Sequence, residues 1–260
     1  MLRPRVIPCL LIHEGGLVKT VAFKNPKYVG DPINAVKIFN EKESDELVVL
    51  DIDATVRGKE PDYQTIAHLA AECRMPLAYG GGVRSAEQAK RIISLGVEKV
   101  CVSAAAIERP TLVSEIAEAV GSQSVAVVVD AKKKLLGGWE ACTHNGRRST
   151  GRSPLDVARE AEAHGAGEII VNSIDRDGEM KGYDLALAAK VRDAVHIPLT
   201  ILGGAGSLAD IGQVITLCGT VGAAAGSLFV FKGTYRAVLI NYPQQPQKEE
   251  LVLGALRARG

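Results

Sequence analysis

Aromatic residues are scarce in this chain, and so is any excess of charge. Phe, Trp and Tyr make up 4% of 260 residues, and 31 basic side chains face 30 acidic ones, for a net charge of +1. With no basic surplus to neutralise phosphates, nucleic-acid binding through bulk charge is excluded. Near-neutrality with 47% hydrophobic residues excludes a disordered chain. No apolar run approaches the roughly 20 residues of a membrane helix, so no membrane contact is expected. The basic start, Met1-Leu2-Arg3-Pro4-Arg5, leads into a short apolar stretch interrupted by Pro8. It reads as a first strand rather than a signal peptide. The five cysteines (Cys9, Cys73, Cys101, Cys142, Cys218) are dispersed, with no Cys-x-x-Cys and no histidine at ligand spacing. That distribution argues for small buried hydrophobes in a reducing, cytoplasmic compartment and against a disulfide framework or zinc site. No metal or cofactor is implied.

What is present is aliphatic and glycine-rich, with 27 Gly. Such a composition suits buried parallel strands under helices. Strands are expected at Arg5–Ile12, Glu46–Ile52, Pro76–Gly80, Lys99–Ser103, Ser124–Asp130, Glu168–Ser173, Pro198–Gly203 and Thr220–Ala225. Helices are expected at Pro32–Glu43, Asp62–Cys73, Ser85–Leu95, Thr111–Val120, Pro154–His164, Asp184–Val195, Leu208–Leu217 and Gly233–Ile240. Ser85 and Ser207 suit N-caps, and Gly96 and Gly165 suit C-caps. Eight β-then-α units in about 250 residues predict an α/β fold, the (β/α)₈ TIM barrel. An open doubly wound sheet is the weaker alternative, because no Gly-x-Gly-x-x-Gly follows the first strand.

The chain also repeats itself. Glu46–Asp53 matches Glu168–Asp175 at an offset of 122 residues, and Gly80-Gly81-Gly82 matches Gly203-Gly204-Ala205 at 123. Val102-Ser103-Ala104 matches Ala225-Gly226-Ser227, again at 123. The expected organisation is one barrel over 1–242, built of two homologous half-barrels of about 1–121 and 122–242. Residues 243–260 form a C-terminal tail, with Pro243–Lys248 a linker and Glu249–Gly260 a short helix or frayed end. Asp130–Gly151, containing Trp139 and Asn145-Gly146, reads as a hairpin inserted after the fifth strand. Trp139 either covers substrate or packs that hairpin.

The glycine stretches end strands three and seven, the second beside Ala225-Gly226-Ser227. Bare backbone amides at a helix N-terminus can cradle a phosphate. Two facing phosphate sites are therefore expected, unless these are only tight turns. Asp130 follows five apolar residues at the catalytic end of its strand and reads as a general acid or base, or as a turn cap. Asp51, Asp53, Asp175 and Asp177 end strands two and six, with Asp177-Gly178 open to a plain turn reading. The position symmetric to Asp130 is Leu11, so no second carboxylate is available there. Arg5, Glu46, Lys99 and Glu168 start strands one, two, four and six, and form a charged ring at the N-terminal mouth, ordinarily a matter of stability. Among the histidines only His13 is expected near the C-terminal mouth.

These residues together resemble the cyclase subunit of imidazole glycerol phosphate synthase. The carriers are Arg5–Leu10, Gly30-Asp31-Pro32, Asp45-Glu46-Leu47, Gly80-Gly81-Gly82, Gly121–Val125, Ser173–Gly178 and Gly203–Gly206. The resemblance runs from about residue 1 to about 240. It implies a barrel docked by its N-terminal face to a HisH-like glutaminase, with ammonia passing through the barrel to a bisphosphorylated substrate. Arg5, Glu46, Lys99 and Glu168 then match the family's ammonia gate. Gly81, Gly82, Ser103, Asp177, Gly178, Gly203, Gly204, Gly226 and Ser227 match its phosphate-binding positions. The two catalytic aspartates fall on Asp130 and Leu11, so one is lost. Ser103, Ala104 and Leu202 also depart from the usual residues. An intact gate beside an altered active site, with the Met1–Arg5 and Leu10–Thr20 segments, is similar to a divergent branch that accompanies a sugar amidotransferase. In that reading the chain supplies nitrogen for acetamidino formation in surface-polysaccharide biosynthesis. The alternative is a working histidine-pathway cyclase that tolerates Leu11; a scaffold that only activates the glutaminase is the non-enzyme reading.

Overall fold

The structure is a computed structural model that describes residues 3–259, so Met1 and Leu2 of the basic start and Gly260 of the tail lie outside the described residues. Eight parallel strands follow one another around a closed barrel: β1 (Arg5–His13), β2 (Leu47–Asp51), β3 (Leu77–Gly80), β4 (Lys99–Val102), β5 (Val125–Lys133), β6 (Glu168–Ser173), β7 (Leu199–Leu202) and β8 (Gly222–Ala225). β8 pairs with β1 through Arg5↔Gly222, which closes the ring. The fold is the expected (β/α)₈ barrel.

Strand alternation divides each strand between two cores. In β5, Val125, Val127 and Val129 face outward into the layer shared with the helices, while Ala126 and Val128 face the barrel axis. Both faces are apolar, so the sequence reads as a continuous run with no visible period of two. The helices outside are α1 (Pro32–Glu41), α2 (Tyr63–Glu72), α3 (Ala86–Ser94), α4 (Thr111–Val120), α5 (Pro154–Ala163), α6 (Leu185–Ala194), α7 (Leu208–Cys218) and α8 (Gln245–Arg259). Their starts are set by short polar caps. Asp31 accepts from the Asn34 amide, and Ser85 from that of Gln88. Ser207 and Asp210 form a reciprocal capping box. Gly96 and Gly165 end their helices at positive φ.

Three departures from the sequence expectation matter. Gly233–Ile240 is not a helix: Phe231–Lys232 and Ala237–Val238 form a small hairpin. Gly233, at φ 72°, turns the chain where a helix would have to begin. The eighth helix is α8 instead. Pro246 sits in its first turn, where the missing N–H costs nothing. Pro243–Lys248 is therefore not a linker throughout, because Gln245–Lys248 belongs to that turn. Lys248 is buried and pairs with Asp45 at 2.5 Å. Val252 and Ala255 bury the helix against the barrel. The third departure is a hairpin at the C-terminal mouth, Gly16–Val21 with Lys24–Gly30, whose first strand pairs antiparallel with β1. Glu14 and Gly15 turn the chain from β1 into this hairpin, in place of the more recognisable Asn-Gly, and Ala22-Phe23 join its two strands, all four at positive φ. The hairpin expected after the fifth strand is present, with Trp139–Thr143 pairing back onto β5.

Candidate functional site

The inward side chains form three levels along the barrel axis, and the register of the strands sets each level. At the N-terminal end, Arg5, Glu46, Lys99 and Glu168 come together as expected. Lys99 Nζ lies 2.7 Å from Glu46 and 2.8 Å from Glu168, Arg5 lies 2.7 Å from Glu168, and Arg5 also pairs with Glu46. Thr200, missed in the sequence, donates its hydroxyl to Glu168 at 2.5 Å. The two carboxylates are almost fully buried, while Arg5 keeps 26% exposure. Burial alone pushes the Glu168 carboxyl up. The adjacent Arg5 and Lys99 charges outweigh burial and hold it below its ordinary value.

The next level is apolar, made by Ile7, Val48, Ala126, Val128, Ile170 and Leu202 with the thiols of Cys9 and Cys101. Burial raises the Cys9 thiol to about 11 and pushes Cys101 up as well, so both stay neutral. Leu11 packs against this level.

The third level opens into a cavity of about 260 Å³ at the C-terminal ends of the strands. Asp130, Leu11, Gly81, Gly82, Ser103, Asp177 and Gly226 line it, so the structure collects these expected residues in one place. Asp130 is pushed up to about 7, chiefly by burial and further by the negative Asp177; a hydrogen bond from Asn172 partly offsets this. Asp177 is raised by burial against the Thr20 hydroxyl, 2.7 Å away, and the Lys19 charge. Asp51 also lines the cavity and is raised by burial, against hydrogen bonds from the Asp53 and Ala54 amides. Asp53 instead pairs with His13 at 2.7 Å, and Asp175 accepts from the Lys133 amide.

Gly178, Gly203, Gly204 and Ser227 do not line the cavity. The Gly204 carbonyl accepts from the Gly182 amide at 2.9 Å, and a Cβ on Gly204 would collide with the Gly182 carbonyl. The loop carrying Gly178 and Gly182 thus lies over the second glycine stretch, whereas the first is open to the cavity. Gly178 is pressed against the Thr20 carbonyl. Ser227 is buried at the start of the short helix Ser227–Val230, as Ala104 is at the start of Ala104–Glu108. Trp139 donates to Asp184 at 2.8 Å and packs against the outer core, outside the cavity lining.

Sequence reading missed Lys19, Asn172, Arg84 and His144, all of which line the cavity. Lys19 was hidden because its strand was not foreseen. It is 5% exposed, its Nζ donates to the Cys9 carbonyl at 2.5 Å, and burial lowers its pKa. Asn172 occupies the inward position of β6 after Glu168 and Ile170, so strand periodicity could have found it. Arg84 reaches the loop carbonyls of Gly58 and Lys59 beside Gly82.

A buried acid leaves a stability signature. Asp130's folded pKa lies above its unfolded one, so its contribution to stability is intact below about pH 4 and is lost as pH rises through about 7. Asp130→Asn is therefore expected to raise the melting temperature at pH 8 by more than at pH 4. Equal shifts at both values would mean that the carboxyl is not buried as an acid.

Among the described residues, no helix is long and apolar enough to cross a membrane. The profile of the histidine biosynthesis protein family matches residues 5–236. A Leptospira interrogans protein, provisionally named as an imidazole glycerol phosphate synthase subunit HisF, is 57% identical over 252 residues, covering 96% of this chain and 99% of its own. A Pseudomonas aeruginosa protein, also provisionally named as a subunit of that synthase, is 54% identical over 243 residues, with coverage of 94% and 97%. The imidazole glycerol phosphate synthase subunit HisF of Halalkalibacterium halodurans is 41% identical over 235 residues, with coverage of 90% and 93%.

Proposed function

This chain belongs to the histidine biosynthesis protein family, among relatives of the HisF cyclase subunit, and from that premise we propose that it is the barrel subunit of a glutamine-dependent synthase. In this reading a HisH-like glutaminase docks at the N-terminal face. Ammonia enters past Arg5, Glu46, Lys99 and Glu168, crosses the apolar level, and meets a phosphorylated acceptor in the cavity. One observation carries the proposal: an ion-paired ring and an acid-bearing cavity occupy opposite ends of one apolar barrel interior.

The names of the relatives favour the histidine-pathway reaction over the sugar reading. The substrate would then be PRFAR, converted with ammonia to imidazole glycerol phosphate and AICAR. Gly81, Gly82 and Ser103, with Arg84 near them, would receive one phosphate, and Asp130 would move protons. The second phosphate would go to the Gly203-Gly204 and Gly226-Ser227 side once the loop over it gives way.

Leu11 favours a second reading. Ring closure and lyase chemistry need one group to give a proton and another to take one. Leucine does neither. A barrel that forwards ammonia to a sugar amidotransferase has no such need.

One assay separates the two. Purified protein receives ammonium and PRFAR, and AICAR formation is followed. The cyclase reading expects turnover by the unmodified chain, and Leu11→Asp should raise it on the order of 100-fold. No turnover by the unmodified chain, with activity appearing only in Leu11→Asp, would overturn the cyclase reading and support the second.

A further inference from the structure

His144 lines the cavity together with Asp130, and it is half-buried. It stands in the turn that follows Trp139–Thr143, in the excursion after β5. His144, Asn145 and Gly146 take φ of 54°, 57° and 72°, three left-handed residues in succession. Such a backbone persists where the surrounding contacts hold it. Here they do. Asn145 Nδ2 donates to the Ile52 carbonyl at 2.8 Å, just past the end of β2, three strands round the ring from β5. Gly146 fits against Ile174 and Phe23, where a Cβ would stand 3.2 and 3.4 Å from their side chains. The turn is therefore drawn across the mouth, and the imidazole comes with it. Its hydrogen bond with Thr143, 3.0 Å, occupies Nδ1 and leaves Nε2 for a ligand.

The other titratable groups of the cavity are committed elsewhere. Lys19 donates to the Cys9 carbonyl, Asp177 accepts from Thr20, and Asp51 accepts from the Asp53 and Ala54 amides. Burial keeps the thiols of Cys9 and Cys101 neutral. A guanidinium such as that of Arg84 does not give up its proton, and Glu108 is exposed. Leu11 has no proton to offer. An imidazole both gives and takes a proton near neutrality, so His144 is the group left to work opposite Asp130.

We propose that His144 is a catalytic residue, the second proton-transfer group that stands in for the carboxylate missing at Leu11. The inference rests on the reading that this chain is a working cyclase. The first step joins ammonia to a carbonyl carbon of the acceptor. The nitrogen lone pair forms the C–N bond, and the C=O π pair moves to oxygen. The His144 imidazolium gives that oxygen a proton, and the Asp130 carboxylate takes one from nitrogen. The exchange then reverses. The Asp130 carboxyl protonates the departing hydroxyl, neutral His144 takes a second proton from nitrogen, and water leaves as the C=N bond forms. Both side chains regain their starting charge, so no further reactant is needed.

Ammonium-dependent turnover of PRFAR is measured for the unmodified protein, His144→Asn and His144→Gly, because asparagine and glycine both accept a left-handed backbone. His144→Asn should lose about 100-fold in kcat, with KM changed by less than about threefold. In the Leu11→Asp background, where a carboxylate shares the work, the same substitution should cost at least about tenfold less. Imidazole in solution should restore turnover to His144→Gly. Pyrazole, a ring of the same size and far weaker basicity, should not. Turnover by the unmodified protein with a kcat in His144→Asn within about threefold of it would overturn the role of His144 and leave the cyclase reading standing. Equal costs in both backgrounds, or equal rescue by the two rings, would do the same. No turnover by the unmodified protein would overturn both.

Discussion

An Asp130→Asn variant is expected to lose at least about 100-fold in ammonium-dependent turnover of PRFAR, the order of magnitude carried by a positioned general acid or base. The effect should be large because this cavity has no symmetric second carboxylate: Leu11 stands at that position. With a pKa of about 7, the Asp130 carboxyl is close to half protonated near neutrality and can both give and take a proton. A pH profile checks the assignment. The unmodified protein should show a limb in kcat/KM near pH 7 that is missing from whatever activity the asparagine variant retains. A limb unchanged in the variant would move the proton transfer to another group, with His144 the next candidate in the cavity.

Glu168→Ala should destabilise the barrel by about 3–5 kcal/mol, the cost of breaking a buried ion pair from one side. Glu168 answers three donors at once: Arg5, Lys99 and Thr200. Its loss leaves Arg5 and Lys99 sharing the single carboxylate of Glu46. Glu168→Gln should cost less, because an amide still accepts from Thr200. Chemical denaturation of the three proteins measures the ordering. The pH dependence has a definite sign. Glu168's folded pKa lies below its unfolded one, so its contribution is present above about 4.3 and is lost as pH falls through the folded value. The gap between the unmodified protein and Glu168→Gln should therefore close on acidification. A gap that is constant from pH 7 to pH 3 would mean that the charge on Glu168 contributes nothing.

Much of the barrel could be read in advance because its rules are local. Val125–Val129 announces a buried strand, Ser207 announces a helix start, and the spacing of eight such units leaves few architectures. The errors occurred where local signals were weak or cancelled. Strand Gly16–Val21 turns back from β1 at Glu14-Gly15, an unremarkable pair, and with it Lys19 escaped notice as a buried amine. Gly233–Ile240 carried enough apolar residues for a helix, but α8, which begins only at Gln245, won the place against the barrel by burying Val252 and Ala255 and pairing Lys248 with Asp45.

The sequence by itself determined the eight strands and the first seven helices, the ring of Arg5, Glu46, Lys99 and Glu168, and the contrast between Asp130 and Leu11. These follow from residue type and from strand register, which places every second side chain on the axis. Only the tertiary structure decided that the two glycine stretches differ, one open to the cavity and one under the Gly178–Gly182 loop. It alone brought His144 to the cavity and raised Asp130 to about 7. Those properties belong to burial and to neighbours brought from other strands, and no segment carries them until the barrel has closed around it.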